Sequence, residues 1–141
     1  MKVTLIRALI LFAALVPTGC GKAGPSSSEV DGAIRDRLTA IDRGAASVRG
    51  QRLLQAKPVS LFYQARKGTH AWDENDQSSI VQAIRGIGRD GLNPADYHLA
   101  AIERLLADRK NSTTPALDGD LDILLTDAVA GMMDQIGRAH V

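Results

Sequence analysis

Leu121-Asp122-Ile123-Leu124-Leu125-Thr126-Asp127-Ala128-Val129-Ala130-Gly131-Met132-Met133-Asp134-Gln135-Ile136 is the stretch that decides the fold. Leu121, Leu124, Leu125, Ala128, Val129, Met132, Met133 and Ile136 recur at three- and four-residue intervals. That spacing predicts a helix that is apolar over a wide arc. A helix of that kind needs neighbours on several sides, so it is expected at the centre of the fold. The Met132-Met133 pair reads as core packing rather than as a cofactor site. Asp118, Asp120 and Asp122 near the start of the stretch are expected to complement the helix dipole.

Working outward, further helical stripes precede it. Leu99, Ile102, Leu105 and Leu106 form one, with Asn93-Pro94-Ala95-Asp96 as its turn-and-cap entry. Ile80, Ala83, Ile84 and Ile87 form another, with Asp76 as candidate N-cap and Asp90-Gly91 as the stop. Val59, Phe62, Tyr63 and Arg66 after Pro58 read as a helix, with a strand as the competing reading because Val, Phe and Tyr favour strands. Phe62, Tyr63 and Trp72 are expected to pack as one cluster. Val30, Ile34, Leu38, Ile41, Ala45 and Val48 form the first stripe. Ser28 and Asp31 would open that helix as a loose capping box, Gly44 would weaken its middle and Gly50 would stop it. No strand alternation of comparable length and no internal repeat is present. The expected fold class is all-α, a small bundle of about five helices.

Composition agrees with a single globular domain. Of 141 residues, 45% are hydrophobic and 23% charged, which excludes a disordered or multi-pass membrane chain. Seventeen basic side chains against sixteen acidic ones leave a net charge of +1, and so even a balance argues against a nucleic-acid partner. One cysteine excludes an internal disulfide framework and any multi-cysteine metal site.

The beginning of the chain reads as an export signal. Lys2 and Arg7 supply positive charge, and Ala8–Val16 is an uncharged apolar run too short to span a bilayer. Val16-Pro17-Thr18-Gly19-Cys20 follows, similar to a bacterial lipoprotein box in which the cysteine is lipidated. Pro17 departs from the usual aliphatic residue and leaves ordinary secretion as the alternative. Several acyl chains, at about 0.8 kcal/mol per buried CH₂, would anchor the chain stably. Gly21 after Cys20, by resemblance to lipoprotein sorting, favours the outer membrane. The expectation is therefore an exported, periplasmic, lipid-anchored protein held to a membrane through Cys20. Residues 1–19 would be the signal peptide and 20–28 a flexible Gly/Pro/Ser tether. Residues 29–135 would be the helical domain. Removal of Lys2 and Arg7 would leave fifteen basic against sixteen acidic side chains.

Candidate chemistry is sparse. His70, His98 and His140 lack the spacing of a shared metal-binding helix face. Asp90, Asp96 and His98 lack the alternating acids of a calcium loop, and turn and capping roles account for the aspartates. Tyr97 and His98 read as packing and turn residues. No nucleophile elbow or phosphate-cradling glycine loop is present. No catalytic, cofactor-binding or metal-ligating residue and no cofactor is assigned.

Three blocks carry a resemblance: Leu61-Phe62-Tyr63-Gln64-Ala65-Arg66 with Ala71-Trp72; Asp90-Gly91-Leu92-Asn93-Pro94-Ala95-Asp96-Tyr97-His98; and Leu124-Leu125-Thr126-Asp127-Ala128. In this order they resemble the N-terminal scaffold region of the large periplasmic murein L,D-transpeptidases, over about residues 48–133. The resemblance implies a helical, non-catalytic module of an enzyme that joins peptidoglycan stems through a cysteine acyl-enzyme. It implies as partners peptidoglycan, or the catalytic and peptidoglycan-binding domains. The family's catalytic His and Ser-x-Gly-Cys motif have no counterpart among these residues, and Cys20 lies in the signal region without a base. Residues 136–141 resemble one reading frame of a sequencing-library adapter and are read as a candidate non-native tail on a truncated chain. Two functional readings follow: the scaffold part of a longer transpeptidase, or a free-standing helical lipoprotein that binds peptidoglycan or a cell-wall enzyme.

Overall fold

In the computed structural model, which describes residues 23–139, the first helix opens on Ser26 rather than Ser28. The Ser26 hydroxyl accepts from the Glu29 backbone N–H, and the Glu29 carboxylate accepts from the Ser26 N–H. This capping box starts α1 (Ser27–Asp42), which buries Ile34, Leu38 and Ile41. The helix then stops earlier than the stripe predicts. Gly44 adopts φ +101°, while the N–H of Gly44 bonds to Ile41 and that of Ala45 to Ala40, a Schellman closure. Gly44 thus terminates the helix instead of weakening its interior. Val48 is buried from a different element, a minimal hairpin of β1 (Ser47–Val48) and β2 (Gln51–Arg52).

Helix α2 (Ala56–Ala65) carries Pro58 within its first turn, where the missing N–H costs nothing, and the strand reading of this segment is set aside. Val59 and Tyr63 are fully buried. Phe62 meets Tyr63 edge to face at 5.1 Å and stacks on Trp72 at 6.1 Å, so the three aromatics do form one cluster. Helix α3 (Glu74–Gly86) is capped by Asp73, whose carboxylate accepts from the N–H groups of Asn75 and Asp76. Asp76 is the second member of that capping box, not the cap itself.

Two 3₁₀ turns follow, Ile87–Asp90 and Pro94–Tyr97, separated by left-handed Gly91 and by Asn93, whose side chain caps the second turn. Helix α4 (Leu99–Asn111) buries Ile102 and Leu105. Helix α5 (Pro115–Ala139) packs against α1, α2, α3, α4 and the hairpin, and is the central helix. It comes close to the α1 backbone at Gly119, where a Cβ would lie 3.2 Å from the Ala33 Cβ and 3.3 Å from the Ile34 nitrogen. Leu121, Leu124, Leu125 and Ala128 are buried as expected. Met133 and Ile136 are not: they are 68% and 57% exposed, because the last turns of α5 extend beyond the neighbouring helices. Met132 is partly buried, so only one of the two methionines joins the core. The architecture is all-α apart from the hairpin. Among the described residues no helix is long and apolar enough to cross a membrane. Cys20, the residues assigned to the signal, and His140 lie outside the described residues.

Candidate functional site

The feature that the helical pattern leaves hidden is a line of buried carboxylates on α5. Asp120 and Asp122 are each 3% exposed and Asp127 is 0% exposed. Carboxylates at such depth are tolerated only with full hydrogen bonding or ion pairing. Each has it, from a different part of the chain.

Asp127 accepts from the backbone N–H groups of Leu54 and Gln55, both at 2.7 Å, and from His98 Nε2 at 2.7 Å. Gln55 offers no capping side chain to α2, and a residue of α5 instead holds the two amides that lead into the helix. Asp122 accepts from the Ala71 and Trp72 N–H groups and from the Tyr63 hydroxyl at 2.5 Å. Thr126, one turn on, accepts from Trp72 Nε1 at 2.9 Å and lies 2.8 Å from the Tyr63 oxygen. Asp120 receives Arg37 on both oxygens and Arg49 on one.

Two of these groups titrate unusually. Burial raises the Asp122 pKa above the ordinary carboxyl value, against the pull of the Tyr63 hydroxyl and the two amides. Burial and the neighbouring Asp122 charge push the Tyr63 hydroxyl well above its ordinary value. Perturbed groups of this kind often mark reactive sites. Here the geometry gives another cause: the Tyr63 proton is directed at Asp122, and both Asp122 oxygens are engaged by backbone donors. The Asp122–Tyr63–Thr126–Trp72 cluster therefore fastens the turn 71–73 and α2 to α5.

This cluster borders a cleft of about 250 Å³, lined by Val30, His70, Trp72, Gln77, Arg109 and Asp118 among others. Trp72 is held there by Phe62 on its face and Thr126 at its edge. His70 is fixed to Asp31 through both its backbone N–H and Nδ1, each at 2.8 Å. Arg109 donates to Gln77 and lies 3.2 Å from an Asp118 oxygen. Several of the cleft's polar side chains hold one another or neighbouring residues.

The residues singled out by sequence fall on both sides of this picture. Tyr97 and His98 are buried at 5% and 6%, in the packing and turn roles expected, and His98 takes left-handed φ +61° before α4. Asp90 and Asp96 are exposed in their turns, apart from His98. Of Asp118, Asp120 and Asp122, only Asp118 sits in the first turn of α5. Asp120 and Asp122 are buried hubs instead of dipole partners, which corrects the expectation for both. A signal was present: two residues apart on a helix is roughly 200° around its axis, so Asp120 and Asp122 cannot share one solvated face.

A family model described as a scaffold domain matches residues 57–141. No curated protein and no solved structure matches the chain. The matched span runs from the first turn of α2 through α5, and holds Asp120, Asp122, Thr126, Asp127 and His98.

Proposed function

The chain belongs to the scaffold-domain family, and from that premise we propose that it is the non-catalytic scaffold region of a peptidoglycan L,D-transpeptidase. One observation carries the reading. The two most specific sequence blocks, 90–98 and 124–128, meet through the hydrogen bond between His98 and Asp127. Both partners are buried, at 5% and 0% side-chain exposure, and Asp127 also holds the entry to α2. The chemistry-bearing residues of these blocks are thus spent on internal fastening, as suits a module whose work is to hold its shape beside a catalytic domain. From the lipobox-like Thr18-Gly19-Cys20, and separately from the family, we propose that the domain is exported to the periplasm and tethered through a lipid on Cys20.

Muropeptide analysis of a strain deleted for the locus tests it. The expected result is a fall in stem-to-stem cross-links made by L,D-transpeptidation, restored by the intact gene. Unchanged cross-linking overturns the proposal. Metabolic labelling with a fatty acid, lost in Cys20→Ser, tests the tether.

A further inference from the structure

The even charge balance of the whole chain hides a separation. From Arg35 to Lys67 there are eight basic side chains and two acidic ones, whereas residues 73–134 carry five basic and twelve acidic. Arg37 and Arg49 are taken up by the buried Asp120. Others gather where α1 and α2 lie side by side. On α1, Arg35 and Asp42 are seven residues apart and so share a helix face. On α2, Lys57, Leu61 and Gln64 follow one another at helical spacing. The two stripes meet across a hollow of about 350 Å³, which Asp42, Lys57, Leu61 and Gln64 help to line. At one end the Ser60 hydroxyl donates to Asp42 at 2.5 Å. At the other, Gly68 lies so near Arg35 that a Cβ there would stand 2.5 Å from the Arg35 Cγ. Arg35 and Lys67 therefore mark one end of this face and Lys57 the other, with Leu61 between them. Arg43 directly follows Asp42 at the end of α1.

All four cations are exposed, and among the described residues none of them pairs with a carboxylate. Leu61, in the same face, is 54% exposed. Long cationic side chains around an exposed leucine fit a surface that offers anions with hydrocarbon beneath them. A soluble polyanion would engage the cations and leave the leucine in water. The acidic remainder adds a second constraint. One basic face on a domain that is otherwise acidic turns toward a negatively charged plane in a single orientation. We propose that the α1–α2 face docks the domain on an anionic phospholipid bilayer, with Arg35, Lys57 and Lys67 at the headgroup phosphates and Leu61 entering the interface. The contact rests on charge and exposure alone, so it stands apart from the family reading and from any lipid on Cys20.

Titration of the full-length ¹⁵N-labelled protein with nanodiscs carrying a headgroup spin label tests it. One set of discs contains phosphatidylglycerol and the other phosphatidylcholine alone. The apolar run Ala8–Val16 meets both sets equally, so the contrast between them isolates the basic face. With phosphatidylglycerol, the amides at 35–43 and 57–67 should broaden more than those of α3 and α4. With phosphatidylcholine that selective broadening should be absent, and high salt should abolish it on the anionic discs. Lys57→Gln combined with Lys67→Gln should weaken the phosphatidylglycerol-dependent binding at least about tenfold. Both positions are exposed, so an unchanged urea midpoint confirms that the variant is folded. Lys57→Arg with Lys67→Arg, which keeps the charge, should retain the binding. Equal broadening on phosphatidylcholine, broadening spread evenly over α3 and α4, or unchanged affinity in the folded double Gln variant each overturns the proposal. So does tighter binding of a single-stranded DNA oligonucleotide at the same residues, which would make the face a polyanion site.

Discussion

The two ends of α5 carry the same apolar stripe and meet different fates. From Leu117 to Ala128 the helix is buried almost all round, including its aspartates. Near its end Met133 and Ile136 face solvent. The difference does not lie in hydrophobicity, since Met133 and Ile136 continue the pattern of Leu125 and Ala128. It lies in what the rest of the chain can reach. The first part is ringed by segments that end on its carboxylates: the α2 entry and His98 on Asp127, the turn 71–72 and Tyr63 on Asp122, and α1 and the hairpin on Asp120. Among the described residues the last turns have no such anchor. Periodicity states which face of a helix is apolar, and tertiary partners decide whether that face is covered.

The comparison breaks most readily at Asp127. Asp127→Ala should cost about 3–5 kcal/mol, because two backbone amides and a buried histidine lose their acceptor together. Urea denaturation measures it, and a cost under about 1 kcal/mol would mean that the carboxylates do not hold the first part in place. Leu125→Ala should cost about 2–5 kcal/mol, as for a large aliphatic side chain removed from a filled core. An unmoved midpoint would show that the centre of α5 is not tightly packed.

Titration sharpens the comparison further. The Asp122 carboxyl is raised in the fold, so the folded state holds its proton more tightly than the unfolded chain does. Its contribution favours folding at low pH and is lost as pH rises from the ordinary 3.8 through the higher folded value. Stability of the native protein relative to Asp122→Asn should therefore decline across that window, measured by urea unfolding at a series of pH values. A difference that rises with pH there would contradict the burial argument. At the other end of the helix, Met133→Ala and Ile136→Ala should each change stability by no more than about 0.5 kcal/mol. A larger loss in either would show that the last turns are covered in solution.

Much of the architecture was legible in the residues. The stripes at Leu99–Leu106 and Ile80–Ile87 mark α4 and α3, and the Asn93-Pro94 entry is capped as its chemistry suggests. The first stripe overstates the length of α1, since Ala45 and Val48 keep its spacing by coincidence after Gly44 has turned the chain. Asp76 reads as the α3 cap because it and the true cap, Asp73, belong to one capping box and share its signature. Asp120 and Asp122 read as dipole partners because a helix start offers acids an ordinary role there.

Local chemistry by itself determined the helices, their order, the central place of α5, the aromatic cluster and the scaffold-family resemblance. Those follow from side-chain period, caps and turn residues, each legible within about a dozen positions. Only the tertiary structure decided that Asp120, Asp122 and Asp127 face inward, that His98 joins Asp127, and that Arg37 and Arg49 converge on one carboxylate. Their partners lie 29 to 83 residues away in the chain. A buried charge is set by which distant donors arrive to satisfy it, and the local sequence pattern carries no record of that arrival.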